Sequence, residues 1–231
     1  MRIPLTKYGW PQVVIFPAVV LAVMAAFALG TIGILQHWII ISIEVLLAAI
    51  LIWILCFFRD PERNCPTDSN LLLAPADGQI TDIETLEDRP AFLREQPAPV
   101  LRVGIFLSIF NTHINRAPCN LKVEKITYKK GKYKNALNPE SSRVNESNEL
   151  WLTRTDSPQD RLIVRQISGA IARRIVCDTI EGQQLTGGQK FGMLKFGSRT
   201  ELFVPLRENA KCLVKTGDKV KAGLTILVKY E

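Results

Sequence analysis

The apolar residues of this chain follow two different patterns along its length. Near the N-terminus they form two long runs, Val13–Leu35 and Trp38–Phe58, separated by two polar residues. Each run is long enough to cross a hydrocarbon core of about 30 Å as a helix. Neither has the shorter apolar core and small-residue cleavage site of a signal peptide. The pattern predicts a membrane-anchoring transmembrane helical hairpin over residues 1–58.

From residue 59 onward the apolar residues recur in short stretches, punctuated by Gly, Pro, Asn and Asp. This pattern is typical of a domain rich in β-strands. We therefore predict a compact, mainly β (α+β), sandwich-like domain over residues 59–231. Residues 84–99, with three prolines, and the polar residues 134–148 are predicted to be surface loops. The strand-like stretches are Leu71–Leu73, Val100–Phe110, Leu121–Tyr128, Leu150–Thr153, Leu162–Ile167, Phe191–Phe196, Glu201–Pro205 and Thr225–Val228.

Small and charged residues add detail to the predicted hairpin. Gly30 and Gly33 would let the two helices approach closely, and Glu44 is interpreted as a tolerated polar residue within the second run. Positively charged flanks stay in the cytoplasm, so both ends of the hairpin and the whole domain are predicted to be cytoplasmic. The flanking residues are Arg2, Lys7, Arg59 and Arg63.

The domain carries an excess of positive charge. Residues 59–231 hold 27 Lys and Arg against 21 Asp and Glu, a net charge of +6. Beside a membrane anchor, anionic lipid headgroups are the simplest partner for this charge. Nucleic acid is the rival, since Tyr128 and Tyr133 could stack bases, but no nucleic-acid motif is present. Six of the lysines lie within thirteen residues: Lys122, Lys125, Lys129, Lys130, Lys132 and Lys134.

The cysteine and histidine contents argue against several kinds of site. There are five cysteines and no Cys-x-x-Cys pair, so neither a disulfide framework nor a zinc ribbon is predicted. Reduced thiols on the cytosolic side are the expectation. Two histidines, His37 and His113, are too few for most zinc hydrolase sites, and no metal is predicted.

Four short polar segments are candidates for the chemistry, although each has an ordinary interpretation when taken alone. Asp77 before a glycine is typical of a turn. His113 is the only histidine of the domain, and its flanking asparagines and arginine favour a polar site over a core position. No Gly-x-Ser-x-Gly surrounds Ser198, so a hydrolase serine is not supported. The segments are Ala74–Gly78, Phe110–Pro118, Asn145–Glu149 and Lys195–Arg199.

Together these segments resemble one family, the phosphatidylserine decarboxylase proenzymes. The resemblance extends over residues 58–231 in the family's order, and the short chain with its early hairpin resembles the compact subfamily. The most specific blocks are Gly169-Ala170-Ile171-Ala172-Arg173-Arg174-Ile175 and Phe196-Gly197-Ser198-Arg199. The others are Phe58-Arg59-Asp60-Pro61-Glu62-Arg63, Ala74-Pro75-Ala76-Asp77-Gly78, Asn111 to Pro118 and Asn145 to Glu149.

The resemblance implies a cofactor that the protein makes from its own backbone. Family members cleave themselves at a Gly-Ser bond, which corresponds here to Gly197–Ser198. The products would be a β chain, 1–197, and an α chain, 198–231, which remain together as a heterodimer and assemble further in some cases. Ser198 would become an N-terminal pyruvoyl group that forms a Schiff base with the substrate amine.

The resemblance also assigns roles to other residues of the site. His113 would be the base that activates Ser198, and Asp77 would orient His113, as in an Asp–His–Ser arrangement. Longer family members carry a second histidine where this chain has Arg116. His113 would then serve both maturation and turnover, or Arg116 would take a share of substrate binding. Candidates for substrate binding are Asn115, Arg116 and Arg199.

The implied activity is decarboxylation of phosphatidylserine to phosphatidylethanolamine at the cell membrane, in phospholipid biosynthesis. Phosphatidylserine and the anionic membrane surface would be its partners, and no nucleic acid is expected. An archaetidylserine or related phosphoserine-lipid decarboxylase is an alternative with the same motifs. A non-catalytic, membrane-tethered adaptor is the alternative from another class, and it leaves the spacing of Asp77, His113 and Ser198 unexplained.

Overall fold

The protein is described by a computed structural model. The described residues are 4–31, 33–88, 90–94, 99–138, 140–170, 174–195 and 197–231, so Phe196 and Ile171, Ala172 and Arg173 of the two most specific blocks lie outside them. The chain divides into two compact units, Met1–Pro61 and Glu62–Glu231.

The N-terminal unit contains two long apolar helices, α1 (Gln12–Thr31) and α2 (His37–Phe57). By length and composition, both could cross a membrane. The helices pack against each other, but the predicted role of the glycines is wrong. A Cβ added at Gly30 or Gly33 would meet nothing within 4 Å, so close helix approach does not require them. Gly33 instead has a φ of +79° in the turn between the helices, a conformation that favours glycine.

Strands are the main regular elements of the second unit, as the apolar pattern predicts. Its described residues also include one short α-helix, α3 (Ser141–Val144). In the described ranges the strands are β1 (Leu71–Leu73), β2 (Gly78–Leu86), β3 (Val100–Leu107), β4 (Ile114–Arg116), β5 (Leu121–Lys129), β6 (Ser147–Arg154), β7 (Arg161–Ile167), β8 (Arg174–Cys177), β9 (Gln184–Leu185), β10 (Lys190–Lys195), β11 (Ser198–Pro205), β12 (Ala210–Cys212), β13 (Lys219–Val220) and β14 (Ile226–Tyr230).

The strands form three sheets in the described part of the chain. The largest has eight strands in the order β13-β2-β3-β11-β7-β6-β5-β9, and the two smaller sheets have the orders β4-β10-β8 and β1-β14-β12. Apolar side chains from β3, β7, β11 and β14 fill the core, among them Val103, Val164, Leu202 and Val228. This arrangement confirms the predicted strand-rich fold class with two N-terminal apolar helices.

Strand β11 is buried along its whole length. Leu202 and Val204 pack into the main core, and Phe203 belongs to a smaller cluster with Leu93 and Ile163. Because successive side chains of a strand point to opposite faces, Ser198 and Thr200 share the face of Leu202. Arg199 and Glu201 lie on the other face.

Each of the eight predicted strand-like stretches contains a strand, but two of the predicted loops are partly wrong. Strand β2 continues to Leu86, paired with Val100 of β3, so residues 84–86 are strand rather than loop. The polar residues 134–148 include α3 and the first residues of β6. The predicted stretch Val100–Phe110 is also too long, because β3 ends at Leu107.

Candidate active site

The Gly197–Ser198 peptide lies where the chain passes from one sheet to another. Strand β10 ends at Lys195 in a three-stranded sheet, and β11 begins at Ser198 in the eight-stranded sheet. Gly197 takes a φ of +58° at this corner, a left-handed conformation that glycine adopts without the steric cost of a Cβ. A Cβ added at Gly169 would overlap the Gly197 carbonyl oxygen, so this close approach requires glycine at position 169.

Ser198 is fully buried, and its hydroxyl is unusual for a buried polar group. The Oγ atom has no hydrogen-bond partner among the described residues, whereas buried polar atoms are nearly always satisfied. Its backbone is fixed by pairing with Leu107 of β3. This buried hydroxyl, which has no partner among the described residues, follows a glycine with a positive φ. It is available for chemistry within the protein itself.

His113 supplies a basic nitrogen at the same corner. It is fully buried just before β4. Its Nδ1 lies 2.9 Å from the Asn111 carbonyl oxygen, and its Nε2 accepts a 3.3 Å hydrogen bond from the Gly197 N–H. A carbonyl oxygen only accepts and an amide N–H only donates. Both contacts therefore require the neutral tautomer with its proton on Nδ1, which leaves the Nε2 lone pair directed at the Gly197 amide.

Asp77 is held by an ion pair with Arg63 and does not hydrogen-bond to His113. Arg63 binds both carboxylate oxygens of Asp77, at 2.6 and 2.8 Å. The Ala222 N–H donates a further hydrogen bond of 2.8 Å to Asp77 Oδ1. Both side chains of the pair are largely buried, at 7% and 10% exposure. The direct Asp–His contact that the resemblance implies is thus not among the contacts of Asp77, and sequence analysis missed its partner Arg63.

Asn115 belongs to a row of buried polar side chains that crosses between sheets. Its Nδ2 donates to Thr200 Oγ1 at 3.1 Å and to the Pro75 carbonyl at 3.3 Å. Gln166 Nε2 donates to Asn115 Oδ1 at 2.9 Å, and Asn148 Nδ2 donates to Gln166 Oε1 at 3.1 Å. We call Thr200, Asn115, Gln166 and Asn148 the amide ladder. It connects β4, which follows His113, to β11, which begins with Ser198.

Arg199 lies on the face of β11 opposite Ser198, within a row of alternating charges. Its guanidinium binds Asp82 at 2.7 Å and Glu201 at 2.9 Å, and Thr81 Oγ1 accepts a further hydrogen bond. Burial alone would raise the pKa of Asp82, but the hydrogen bond and charge of Arg199 outweigh burial and lower it. The row continues through Arg102 and Glu84 on one side and through Arg165 and Glu149 on the other.

Two further cations belong to the sheet that contains β10. Arg116 is buried and donates from Nη1 to the Gly188 carbonyl at 2.9 Å. Lys195, the last residue of β10, is 3% exposed. Burial lowers the pKa of its ammonium, and the nearby positive charge of Arg174 lowers it further. Lys195 belongs to the candidate segment Lys195–Arg199 but had no predicted role. The sequence pattern gives no sign that its side chain is buried.

The Asn145–Glu149 segment is mostly buried, contrary to its interpretation as a loop when taken alone. Asn145 is fully buried, and its Nδ2 donates to the carbonyls of Lys134 and Ser168 at 2.8 Å. Ser168 in turn donates from its backbone and its hydroxyl to the Glu146 carbonyl. These bonds fix the chain immediately before Gly169, which supports the Gly197 carbonyl.

A surface cavity of about 270 Å³ adjoins Gly197. Its lining is mostly apolar, although Ser108 and Asn135 contribute polar groups. The lining residues are Phe106, Ser108, Ile109, Asn135, Ala136, Ala170 and Gly197. An apolar cavity with a few polar groups is typical of a site for a small molecule or for part of a lipid.

Comparison with known proteins shows which family the chain is similar to. The model of the phosphatidylserine decarboxylase family matches residues 50–228. A phosphatidylserine decarboxylase proenzyme of Pelagibacter ubique is 42% identical over 77% of this chain and 80% of its own. The proenzyme of Nitrosomonas europaea is 38% identical over 98% of this chain and 95% of its own, and that of Azorhizobium caulinodans is 38% identical over 99% and 90%.

Proposed function

The chain belongs to the phosphatidylserine decarboxylase family, and we propose that it cleaves itself at Gly197–Ser198 and then converts phosphatidylserine to phosphatidylethanolamine. One observation carries the self-cleavage. The buried Ser198 hydroxyl has no partner in the described part of the chain, and the adjoining Gly197 amide is held by the basic Nε2 of His113. Both observations support Ser198 as the nucleophile and His113 as the base of this cleavage.

Maturation would begin with attack of Ser198 Oγ on the Gly197 carbonyl carbon. The C–N bond breaks, the Ser198 nitrogen takes a proton, and an ester links Gly197 to the Ser198 side chain. Removal of the Ser198 α-proton then expels the Gly197 carboxylate. The dehydroalanine that remains takes up water and releases ammonia, which leaves a pyruvoyl group at the start of the α chain.

His113 is the proposed base for these proton transfers. In the precursor its Nε2 binds the Gly197 N–H rather than Ser198 Oγ, so a small displacement must bring Nε2 to the hydroxyl before attack. Catalytic hydrogen bonds are often long or misaligned before the reactive complex forms. Gly197 and Gly169 support this step, because neither carries a Cβ that would restrict movement of the attacked carbonyl.

The residues around Ser198 fit a pyruvoyl group and a lipid substrate. When present, the group supplies a carbonyl that binds the substrate amine and accepts the electron pair released as CO₂ departs. His113, in its protonated form, would donate a proton at the former α-carbon. The apolar cavity beside Gly197 would take the uncharged part of the lipid near its headgroup and exclude water.

The contacts divide the predicted site residues into two groups. Asp77, Asn115 and Arg199 have their polar atoms bound within the protein, so we assign them to positioning the site rather than to touching substrate. Asp77 would do so through its bonds to Arg63 and to the Ala222 amide. Arg116 also donates to a carbonyl inside the protein, that of Gly188, and its role as the candidate for binding the substrate's anionic groups rests on the resemblance.

The wider setting is also a proposal. The positive flanks of the helical hairpin favour an anchor in the cell membrane with the catalytic unit on the cytoplasmic side. There the enzyme would act in phospholipid biosynthesis, with the β and α chains as a heterodimer. An archaetidylserine substrate would use the same site, and an assay with both lipids separates the two.

Intact-protein mass spectrometry of the full chain in detergent, with Ser198→Ala beside it, tests the proposal. We expect the wild-type chain to give two fragments, 1–197 and 198–231, the smaller one blocked at its N-terminus and lighter by the lost ammonia. Ser198→Ala should stay whole at 25.9 kDa and form no phosphatidylethanolamine. Ser147→Ala, at another buried serine, is the control and should be cleaved normally. An uncut, folded wild-type chain would refute self-cleavage.

A further inference from the structure

Exposed apolar side chains lie next to the cavity beside Gly197. Ile109 and Ala136 line this cavity, and the residue that follows each of them is turned outward. Phe110 is 70% exposed and Leu137 is 56% exposed. Tyr133, two residues before the lining residue Asn135, is 41% exposed. Large apolar side chains so exposed around one cavity mark a surface that is covered during function.

The same rim carries positive charge. Lys130 and Lys132 lie just before the cavity-lining residue Asn135, and both are exposed. Neither ammonium makes an ion pair or a hydrogen bond in the described ranges of the chain. Lys129 and Lys134, by contrast, bind the Arg143 carbonyl and Glu140. Two cations that make no hydrogen-bonded ion pair with a described residue thus stand beside the exposed apolar residues.

We propose that Phe110, Tyr133, Leu137, Lys130 and Lys132, here called the mouth surface, dock onto an anionic lipid bilayer and thereby place the cavity against the membrane. The proposal rests on the proposed function only for the identity of the lipid that enters the cavity. Phe110 and Leu137 would insert at the boundary between headgroups and acyl chains. Tyr133 is a residue type enriched at that depth, and the lysines would bind anionic headgroups.

The chemistry of the mouth surface favours a bilayer over a protein partner. A protein interface of this kind would place charges of both signs at its rim, whereas Lys130 and Lys132 are both positive and flexible. A lipid reaching the cavity from water would have to leave the bilayer entirely. Docking at the mouth surface removes that step, because the headgroup could move from the interface into the cavity beside Gly197.

The full chain, reconstituted in nanodiscs, allows a direct test with Phe110→Ser/Leu137→Ser. Self-cleavage and turnover of monomeric dibutanoyl phosphatidylserine should stay within about twofold of wild type. The apparent KM for long-chain phosphatidylserine in the bilayer should rise about tenfold, with kcat unchanged, since burial of two apolar side chains is lost. Leu213→Ser, at an apolar residue 46% exposed on another sheet edge, should leave both substrates unaffected.

Charge reversal tests the lysines separately. We expect phosphatidylglycerol in the nanodisc to stimulate the wild-type enzyme. Lys130→Glu/Lys132→Glu should weaken this stimulation. Lys219→Glu/Lys221→Glu removes two exposed lysines with the same spacing at the opposite end of the strand order, and it should retain the stimulation. Hydrogen exchange of residues 129–138 in the uncleaved Ser198→Ala chain gives a readout independent of activity, and these amides should be protected when anionic lipid is added.

The outcomes separate docking from the proposed function. An equal KM for bilayer lipid in wild type and Phe110→Ser/Leu137→Ser would overturn docking. Equal losses of activity on monomeric and bilayer lipid would also overturn it, because they would assign these residues to the substrate pocket. Absent protection in residues 129–138 would also overturn it. A wild-type chain that is neither cleaved nor active, but still shows lipid-dependent protection, would refute the proposed function and leave docking intact.

Discussion

The Nε2 atom of His113 accepts a hydrogen bond of 3.3 Å from the Gly197 N–H. These residues are 84 positions apart in the chain, and they come from a loop before β4 and from the corner between β10 and β11. The contact places a neutral imidazole at the N–H of the residue that precedes Ser198. It brings the one histidine of the catalytic unit to the residue whose carbonyl would be attacked in the proposed self-cleavage.

Replacing this histidine should stop maturation. His113→Gln keeps a hydrogen-bonding side chain but removes the group that takes a proton, so we expect cleavage to slow by at least about a hundredfold. The fraction of cut chain over time, measured by denaturing gel and mass spectrometry, checks this. His37→Gln, at the start of α2, removes the other histidine and should be cleaved normally. Cleavage of His113→Gln at the wild-type rate would exclude His113 as the base.

The amide ladder should control the same reaction through geometry. Asn115→Leu removes the bond to Thr200 and leaves buried polar groups unsatisfied, which should cost about 1–3 kcal/mol of stability and slow self-cleavage. Asn148→Leu breaks the ladder at its far end, at β6. It should cost similar stability while cleavage remains near the wild-type rate. Melting temperature and cleavage rate, measured together, decide between positioning and simple destabilisation, because equal slowing in both variants would contradict positioning.

The sequence predicted much of the fold because strand-length apolar stretches are local signals. Leu71–Leu73 corresponds fully to β1. Strand β2 was missed, because its outer half, up to Leu86, is mostly polar and only partly buried, so its pairing with β3 leaves no apolar signature in the sequence. The Asp77–Arg63 pair also could not be predicted from the pattern, since only tertiary folding brings the two side chains together.

The candidate site depends even more on contacts between distant residues. The resemblance gave Ser198 and His113 their proposed roles, but no local signal distinguishes Asn115, which is bound inside the protein, from a residue that faces substrate. Strand alternation is the one signal that was available for Arg199. A side chain adjacent to Ser198 in a strand must point to the opposite face, and the row of ion pairs is found there.

Loss of Arg199 should affect stability and not substrate affinity. Arg199→Met leaves the buried Glu201 with Arg165 and the partly buried Asp82 with Arg102 as their remaining cations. We expect a loss of about 1–3 kcal/mol of stability, as for other buried polar groups that lose a partner. The KM for phosphatidylserine should stay at its wild-type value. Arg102→Met, whose side chain is 22% exposed, is a milder control. A raised KM in a stable Arg199→Met protein would restore Arg199 as a substrate-binding residue.

Asp82 should make stability depend on pH in acid. Its pKa is lowered in the folded state from the ordinary value of 3.8, so its contribution is complete above that value and is lost as pH falls through the lower folded value. The difference in melting temperature between wild type and Asp82→Asn should therefore be constant near neutral pH and shrink below about pH 4. Glu84→Gln, at a side chain 59% exposed, should differ little from wild type throughout. A difference that grows in acid would contradict the assignment.

The two chains produced by cleavage should remain together without a covalent link. Strand β11 is paired with β3 along its whole length and with β7 over five positions, and β14 lies between β1 and β12. Cleavage at the corner removes none of these pairs. The β and α chains should therefore co-elute in size-exclusion chromatography in mild detergent and separate only in denaturant. Loss of the 198–231 fragment under native conditions would contradict this.

Refolding should then distinguish the precursor from the mature protein. In the uncut Ser198→Ala chain, β11 reaches its place between β3 and β7 by an intramolecular step, whose entropic cost grows only slowly with loop length. In the cut protein the same strand belongs to a separate chain, so its insertion becomes a bimolecular step that also requires β3 and β7 to stay apart.

After dilution from denaturant, the catalytic unit of Ser198→Ala should regain its native β-sheet circular dichroism at a rate independent of protein concentration. The mature protein should recover this signal in low yield, at a rate that increases with protein concentration. Equal, concentration-independent recovery of both proteins would contradict the pairing of β11 with β3 and β7.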